Sequence, residues 1–327
     1  MKKVLSALMA LLMLTAILPA ASFAEDKINN YTVTDTISAQ LKGGVLTVSG
    51  TGEMPDLRHP DHNWETQAPA PWAGENRQIT SVVVESGITR IGSYAFAGTN
   101  AESIILPDTV TEIGKGAFGF CYQLKSMSLP QGVTEIAEEL FIGDYNLKNL
   151  EMGSAVTRIC RRAFYDAYPA EFCFPANLTE LDKNALERAA FTSIAVDKDN
   201  PLYSSKNGAL CSKDGKKLIM VPTGLEAEVF DCRGIEEIER EAFYGAKNIR
   251  SVDLTGVKII GDQAFYRSGL VSVTIPDSVE EMGDYVFSSC EKLAEIDIGG
   301  GLSEIGLGCF ESCPIEELVI PENIKII

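Results

Sequence analysis

The segment SIILPDTVTEIGKGAFGFC, from Ser103 to Cys121, decides the fold because versions of it recur along the chain. Further copies begin at Ser126, Asn149, Ser272 and Glu295. One position of the repeat holds a large side chain, and its occupants are Phe96, Phe118, Phe141, Phe164, Leu186, Phe243, Phe265, Phe287 and Phe310. Successive occupants are 22 or 23 residues apart, except for one interval of 57. So regular a spacing over nine units predicts a repeat architecture.

Each unit begins with a short alternation of inward and outward residues. Ile104 and Leu106 flank the outward Ile105, and this period of two predicts a half-buried strand. At roughly 1.5–3 kcal/mol per buried apolar side chain, one unit cannot offset its own ordering entropy. Stacked units can, because equivalent side chains then lie over one another. The sequence predicts a β-rich solenoid with short helical or irregular convex segments, and one continuous buried ladder containing Phe118, Phe141, Phe243 and Phe287.

The start of the chain has the features of a secretory signal peptide. A basic dipeptide precedes an apolar run from Val4 to Leu18, and small residues up to Ala24 suit cleavage before Glu25. The run is short for a membrane span, which needs about 20 residues. We expect a signal peptide over residues 1–24, a secreted or cell-surface-associated protein, and no transmembrane segment after cleavage.

The mature chain is strongly acidic. The full sequence has a net charge of −18, and loss of two lysines with the signal peptide makes it −20. Such a charge opposes binding to nucleic acid or to an anionic lipid surface. The sequence contains no nucleophile elbow, phosphate-binding loop, dinucleotide motif or HExxH helix. It therefore predicts a binding protein that is not an enzyme and that carries no cofactor.

The repeat pattern L-x-x-I-x-L-P-x-x-V-T-x-I-G-x-x-A-F-x-x-C resembles the BspA-like leucine-rich repeat of bacterial surface proteins. The resemblance covers residues 79–327, and the last repeat is incomplete. Residues 25–78 are similar to the segment before the repeats in many family members, and we expect them to cap the first rung. The resemblance implies a leucine-rich-repeat solenoid and surface adhesion, with host matrix proteins as the usual suggestion for partners.

The interval of 57 residues contains an insertion over about residues 199–224. An Asn-Gly pair and an Asp-Gly pair mark two turns in it. Residues 209–212 and 217–221 are predicted to be the two strands of a β-hairpin that projects from the solenoid. The segment is similar to an insertion common in the same family, with Cys211 where the family usually has an aromatic residue.

Eight cysteines lie in the mature chain, and their spacing matches no zinc site. Four occupy small or apolar repeat positions and are predicted to be buried free thiols, namely Cys121, Cys160, Cys232 and Cys309. Cys290 and Cys313 share one position on neighbouring rungs, so a disulfide between them remains an open alternative. Cys173 is expected to face outward.

Two polar motifs could bind a metal ion but lack ligands. The loop around His59 and His62 offers two imidazoles and no third ligand, so we interpret it as a solvated capping loop. The motif from Asp197 to Asn200 resembles half of a calcium loop, but Pro201 interrupts it, and a turn is predicted there. No metal site is predicted.

Outward strand residues form two columns along the repeat. The strand sheet of a solenoid usually lines its concave side, which is the common ligand surface. The candidate concave binding face consists of Glu151, Glu171, Asp231, Asp253, Glu295, Asp297 and Glu317. Because neighbouring rungs lie about 4.8 Å apart, Asp231 over Asp253 is expected to be a like-charge pair that costs some stability.

The carboxylates from Asp231 to Glu317 predict a site for a basic extracellular partner, either a protein or a glycan, whose binding should weaken as salt rises. Plain solvation is the simplest alternative for the acidic residues. The alternative function is structural, as a repeat spacer or scaffold that presents another domain or partner. A further domain in the native gene beyond Ile327 would favour the spacer.

Overall fold

The computed structural model describes residues 27–59, 67–169, 171–182 and 184–326, without the side chain of Glu171. The predicted signal peptide and His62 lie outside these ranges. The described chain winds into a solenoid of about ten turns with almost no helix, which confirms the predicted architecture. Its convex segments are turns, and one 3-10 turn covers Ala73–Glu75. No helix of the described residues has the length and apolar character needed to cross a bilayer.

An antiparallel meander lies at the N-terminal end. Its strands are β1 (Asn29–Thr32), β2 (Ile37–Lys42) and β3 (Val45–Gly50). The alternation in β2 buries Ile37, Ala39 and Leu41. On its other side β3 pairs in parallel with the first strand of the solenoid, Ser81–Val84, so the meander joins the solenoid through one continuous sheet.

Each rung contributes one strand to a column that we call the strand face. Its strands are β5 (Ser81–Val84), β7 (Ser103–Ile105), β9 (Ser126–Ser128), β11 (Asn149–Glu151), β13 (Glu171–Phe174), β15 (Ser193–Val196), β19 (Val229–Asp231), β21 (Ser251–Asp253), β23 (Ser272–Ile275) and β25 (Glu295–Ile298). Paired strands of this column run parallel. Inward residues such as Ile104 and Val273 are buried, as the alternation predicts.

A second column, which we call the short-strand face, follows one turn later in each rung. Its members are β4 (Gly52–Glu53), β6 (Ile88–Ile91), β8 (Glu112–Ile113), β10 (Glu135–Ile136), β12 (Arg158–Ile159), β14 (Glu180–Leu181), β20 (Glu237–Ile238), β22 (Ile259–Ile260) and β24 (Glu281–Met282). A glycine follows several of these strands because the rungs come close there. A Cβ added to Gly114 would lie 2.5 Å from the Ser93 backbone nitrogen.

The insertion forms three antiparallel strands, β16 (Tyr203–Lys206), β17 (Ala209–Ser212) and β18 (Lys217–Met220). The two predicted hairpin strands form as β17 and β18 and pair antiparallel. The expectation that the hairpin projects from the solenoid is wrong, because β18 pairs in parallel with β20 and joins the short-strand face. Leu218 is opposite the inward Ile238 and is buried, as are Ala209, Leu210 and Cys211. Burial of these apolar side chains holds the insertion in the solenoid.

The large side chains stack in the core. Phe118, Phe141, Phe243 and Phe287 are all fully buried, which confirms the predicted burial. The expectation of one continuous ladder is wrong, however, because Leu186 and the insertion divide it into two stacks. The first stack runs from Trp72 to Phe164, and the second runs from Phe243 to Phe310. The buried side chains correspondingly form two clusters that meet at the insertion, which contributes Leu210 to the first cluster and Ala209, Cys211 and Leu218 to the second.

Two backbone positions in each rung adopt a left-handed conformation with φ between 53° and 75°. One lies two residues before the large side chain, at Tyr94, Gly116, Glu139, Arg162, Asn184, Glu241, Gln263, Tyr285 and Gly308. The other lies two residues after it, at Gly98, Phe120, Gly143, Asp166, Arg188, Gly245, Arg267, Ser289 and Ser312. Left-handed residues cannot continue a right-handed helix, so these segments form turns. Their N–H groups donate to the next rung, as from Phe96 to the Ala117 carbonyl at 2.9 Å.

The eight cysteines are free thiols in the structure. Cys121, Cys160, Cys232 and Cys309 are buried, and Cys173 is exposed, as the repeat positions predict. Burial raises the pKa of Cys160 and of Cys232 to about 12. A thiol with so high a pKa stays protonated at neutral pH and is a poor nucleophile.

Candidate functional site

The strand face sets the positions of the predicted acidic residues. Ser128 is opposite Glu151, Asp231 is opposite Asp253, and Thr274 is opposite Asp297. Glu151 lies between the partly buried Leu150 and Met152, and each of the others lies one position from a buried residue, so these side chains point away from the core. The repeat register therefore gives the outward columns correctly.

The seven candidates do not form one continuous surface. Glu151 is exposed, and the next outward residues are Cys173 and Ala195, followed by the insertion. Glu171 lies opposite Ser193 by its backbone, and its side chain is outside the described part. The remaining five candidates belong to rungs after the insertion, and these are the ones that the fold brings together.

Arg233 lies beside the expected like-charge pair. Its Nη2 is 2.7 Å from Asp231 Oδ2, and its Nε is 3.7 Å from Asp253 Oδ2. Hydrogen bonds from Arg233 lower the pKa of Asp231 to about 2. Hydrogen bonds from Thr255 lower the pKa of Asp253. The expected repulsion is thus offset by a cation, which the column analysis missed because Arg233 lies in the turn after the strand.

Glu295, Asp297 and Glu317 are the open part of the acidic face. All three side chains are exposed, and the described residues provide none of them with an ion pair. Their surroundings are acidic as well, since residues 251–327 contain fourteen acidic and four basic side chains. Val319 follows Asp297 in the same outward column and is 72% exposed. This end of the strand face therefore combines unpaired carboxylates with an exposed apolar side chain.

The short-strand face carries a groove of about 540 Å³ that the sequence analysis did not identify. Its floor includes Gly114, Ala137 and Cys160, which occupy the position after the short strands. Its walls are charged, and ion pairs cross them, including Arg161 Nη2 to Glu138 Oε1 at 2.9 Å. The Arg161 hydrogen bond lowers the pKa of Glu138. The groove is lined by paired charges and by a protonated thiol, so it lacks an activated nucleophile.

Three tyrosines form a second surface feature that sequence reasoning missed. Tyr122, Tyr145 and Tyr168 lie four residues after successive phenylalanines, with ring centroids 5.8 and 5.4 Å apart. Tyr122 and Tyr145 are 45% and 42% exposed. The 23-residue spacing was the available signal.

One buried carboxyl stands out in the core. Asp144 lies three residues after Phe141, at a position that other rungs fill with Ala, Ser, Thr or Cys. Its Oδ1 accepts a hydrogen bond from the Cys121 backbone N–H at 2.8 Å, and its Oδ2 has no hydrogen-bond partner among the described residues. Burial raises the pKa of Asp144 well above its ordinary value. The repeat pattern gives no signal for Asp144, because the position is uncharged in the other rungs.

The two polar motifs have structural roles where they are described. His59 is buried, and its ring packs 5.0 Å from Tyr94 and 5.4 Å from Phe120. Asn200 is also buried, donates to the carbonyls of Pro175 and Leu178, and accepts two backbone N–H groups through Oδ1. These contacts use the whole amide in a turn. Within the described ranges, no group of three or more His, Cys, Asp or Glu side chains is arranged to hold a metal ion.

The profile of the BspA type leucine rich repeat region matches residues 73–193 and 227–327 in six copies, which is more than half of the chain. The chain belongs to the BspA-type leucine-rich repeat family. The two matched stretches of this BspA-type protein flank the insertion, where β16 to β18 replace the regular repeat. Solenoids of this family are generally non-enzymatic, and their repeats fit a protein-binding role.

Several solved structures share the fold of this BspA-type protein. A leucine-rich repeat protein from Eubacterium ventriosum is 20% identical with a TM-score of 0.58, and the match covers 91% of this chain and 92% of that one. The pneumococcal vaccine antigen PcpA is 18% identical with a TM-score of 0.58, covering 92% and 93%. A leucine rich cell surface protein from Faecalibacterium prausnitzii is 23% identical with a TM-score of 0.53, covering 93% and 86%. No curated protein matches the sequence.

Proposed function

We propose that this protein is an exported, non-catalytic adhesion or recognition protein, and that it binds a basic protein through the open carboxylates at the end of the strand face. The observation that carries the proposal is the group Glu295, Asp297 and Glu317, which is exposed and has no ion pair within the described residues. Unpaired like charges on neighbouring rungs repel one another. A cationic partner would relieve that repulsion and gain long-range attraction.

A protein partner fits this surface better than a glycan. Val319 is exposed in the same outward column as Asp297, and Val271 is 38% exposed just before β23. Apolar side chains among carboxylates suit a partner that carries both basic and apolar groups, because such a partner removes apolar area from water as well as pairing charge.

Export has independent support in the predicted signal peptide over residues 1–24. Of the similar structures, one is a cell surface protein and one is a vaccine antigen. Family membership also fits an extracellular or cell-surface location. Sequencing the N-terminus of the protein recovered from the culture medium or cell wall tests this part, and Glu25 is the expected first residue.

The binding test begins with a pull-down of host and bacterial surface proteins by residues 25–327. The variant Glu295→Gln, Asp297→Asn, Glu317→Gln then removes three charges while keeping the side-chain shapes. We expect the affinity for the captured partner to fall about tenfold or more at low salt, which is about 1.4 kcal/mol. We also expect the wild-type affinity to fall as salt rises.

The chain offers a matched control in neighbouring rungs. Glu280, Glu281 and Glu304 are exposed on or beside the short-strand face, and their change to Gln removes the same charge. If both triple variants weaken binding equally, net charge alone attracts the partner and the strand face has no special role. If neither variant weakens binding, the acidic surface serves solubility.

A further inference from the structure

Cys290 and Cys313 occupy the same repeat position, three residues after Phe287 and Phe310. They belong to the last two rungs of the second phenylalanine stack, whose rings are 6.0 Å apart. Neighbouring rungs of a parallel sheet lie about 4.8 Å apart. That spacing falls within the Cα separation, about 4.4–6.8 Å, at which a disulfide forms without moving the backbone.

The contacts of the two sulfur atoms show that they share one channel. Cys290 Sγ lies 3.0 Å from the Phe265 carbonyl oxygen, and Cys313 Sγ lies 3.0 Å from the equivalent oxygen of Phe287. Side chains of neighbouring rungs touch in this channel, since Ser268 Oγ is 3.2 Å from Cys290 Sγ. Cys313 occupies the equivalent position one rung later, so its Sγ lies next to Cys290 Sγ as Cys290 Sγ lies next to Ser268 Oγ. The two sulfurs are therefore neighbours without an intervening group.

The two thiols differ in access and in acidity. Cys290 is fully buried, whereas Cys313 is partly exposed. The side-chain interaction with Cys313 lowers the pKa of Cys290 and raises that of Cys313. Once the pair has lost one proton, the two sulfurs share the remaining hydrogen, and its transfer from Cys313 to Cys290 leaves the thiolate on the accessible Cys313. Buried thiols without such a partner behave in the opposite way, since burial raises the pKa of Cys232 to about 12.

We propose that Cys290 and Cys313 are a redox-active pair that closes a disulfide between the last two rungs by exchange with a small-molecule or protein disulfide. The accessible Cys313 sulfur attacks one sulfur of the incoming disulfide, breaks its S–S bond and releases the first thiol. The Cys290 sulfur then attacks Cys313 Sγ and expels the second thiol. The pair loses two electrons and two protons, and the incoming disulfide is reduced to two thiols.

The disulfide would fasten an end of the solenoid that has little strand pairing. Beyond β25 (Glu295–Ile298), the described chain forms no further strand and pairs through a single bridge between Glu304 and Ile326. A bond between Cys290 and Cys313 would tie this last rung to the one before it. Closing such a loop restricts the unfolded chain and opposes fraying of the end.

The test treats residues 25–327 with oxidised glutathione at pH 7.5, blocks the remaining thiols, and maps the products by mass spectrometry without reduction. We expect a linked Cys290–Cys313 peptide, a mass lower by two hydrogen atoms, and a thermal midpoint raised by several degrees. The Cys121 thiol is a matched control, because it occupies the same position beside Thr99 and has no cysteine on a neighbouring rung. It should stay reduced.

Two serine variants separate the steps. Serine suits the position, because Ser268 already occupies it one rung earlier. Cys290→Ser should stop at a stable glutathione adduct on Cys313, and Cys313→Ser should give neither an adduct on the buried Cys290 nor a cross-link. The proposal is overturned if both wild-type thiols remain free, or if Cys290→Ser forms no adduct on Cys313 although circular dichroism shows a folded chain.

Discussion

One repeat position of the short-strand face differs between the two halves of the solenoid. It lies two residues before the inward residue of each short strand. Before the insertion it holds an exposed threonine in five successive rungs, at Thr89, Thr111, Thr134, Thr157 and Thr179. After the insertion begins, the same position holds Lys216, Glu236, Lys258 and Glu280. Lys216 and Lys258 both reach Glu236, at 2.6 and 2.8 Å. One half thus has a neutral hydroxyl column and the other has a column of alternating charge.

The two halves of the solenoid have similar cores, although their surfaces differ. Both contain a stack of buried rings, with neighbouring centroids 5.5 Å apart at Phe141–Phe164 and 5.2 Å apart at Phe265–Phe287. The stacking of equivalent rungs fixes the inward positions, because a void or a clash in one rung is felt by its neighbours. The outward positions meet solvent and vary freely. The comparison teaches that this protein's specificity is to be sought in its outward columns.

The largest expected effect tests whether the two cores contribute equally. Phe141→Ala and Phe287→Ala each remove a fully buried ring, one from each stack. We expect each to lower the free energy of unfolding by about 3–5 kcal/mol, measured by urea denaturation. The exposed Tyr145→Ala serves as control and should cost much less. A small loss at either phenylalanine would mean that its stack does not support the fold.

A second prediction concerns Asp144, which has no counterpart after the insertion. Asp144→Ala removes a buried carboxyl whose Oδ2 has no hydrogen-bond partner among the described residues. Alanine already occupies the equivalent repeat position at Ala167 and Ala246. We expect it to stabilise the protein at pH 7 by about 1–3 kcal/mol.

The pH dependence of that gain identifies its origin. The pKa of Asp144 is raised in the folded protein, so folding favours the protonated form. The contribution of protonated Asp144 to the free energy of unfolding is fully present below the pKa of an aspartate in the unfolded chain, about 3.9. It is lost as the pH rises towards the pKa of Asp144 in the folded protein. The advantage of Asp144→Ala over wild type should therefore grow above pH 4. A constant difference from pH 4 to pH 8 would contradict the ionisation argument.

The charged column gives a smaller effect. The two lysines lower the pKa of Glu236 to about 2, so its contribution is present above the unfolded pKa, about 4.3, and is lost as pH falls towards 2. Glu236→Gln should lower the thermal midpoint slightly at pH 7, and less at high salt. Glu280→Gln is the control, because Glu280 has no ion pair within the described residues. Equal shifts of the thermal midpoint for both variants would show that the ion pairs of the alternating column add nothing to stability.

The smallest expected effect concerns the left-handed turn positions, which both halves share. Ser289 has φ of 59°, and glycine holds the equivalent position at Gly98, Gly143 and Gly245. Ser289→Gly relieves backbone strain but adds unfolded-state entropy, so we expect a net stabilisation below about 1 kcal/mol. Ser288→Gly, one residue earlier and without positive φ, should destabilise. The opposite order in thermal unfolding would show that strain at this position is negligible.

The repeat spacing allowed much of the fold to be predicted. Intervals of 22 and 23 residues placed Phe118 and Phe287 in the core and gave the outward register of Asp231 and Asp253. Both follow from periodicity, because each rung repeats the environment of the last. Trp72 was missed as the first member of the aromatic stack, since it lies outside the repeat, although its ring stacks 5.8 Å from Phe96.

The candidate site was less predictable for a related reason. The repeat pattern predicts the outward residues that occupy the same position in every rung, but it does not predict the contacts of residues in individual turns. Arg233, which lies in a turn, forms an ion pair with Asp231. The groove on the short-strand face is lined by Ala137 and Cys160 at the repeat position that Gly114 occupies in an earlier rung. The role of the insertion was also missed, because two turn signals predict a hairpin without saying that Leu218 will fill a core position.

The insertion has a mechanical consequence. A pull along the solenoid axis loads the links between rungs in series, so the chain is only as strong as its weakest junction. Between β15 and β19 the strand face has no ladder pairing in the described chain. The rungs are joined there by separate hydrogen bonds, such as those from the Ile194 N–H to the Gly208 carbonyl and from the Gly224 N–H to the Phe191 carbonyl, and by the pairing of β18 with β20. Under tension the molecule should part there first, leaving two blocks that each keep an intact stack of rings.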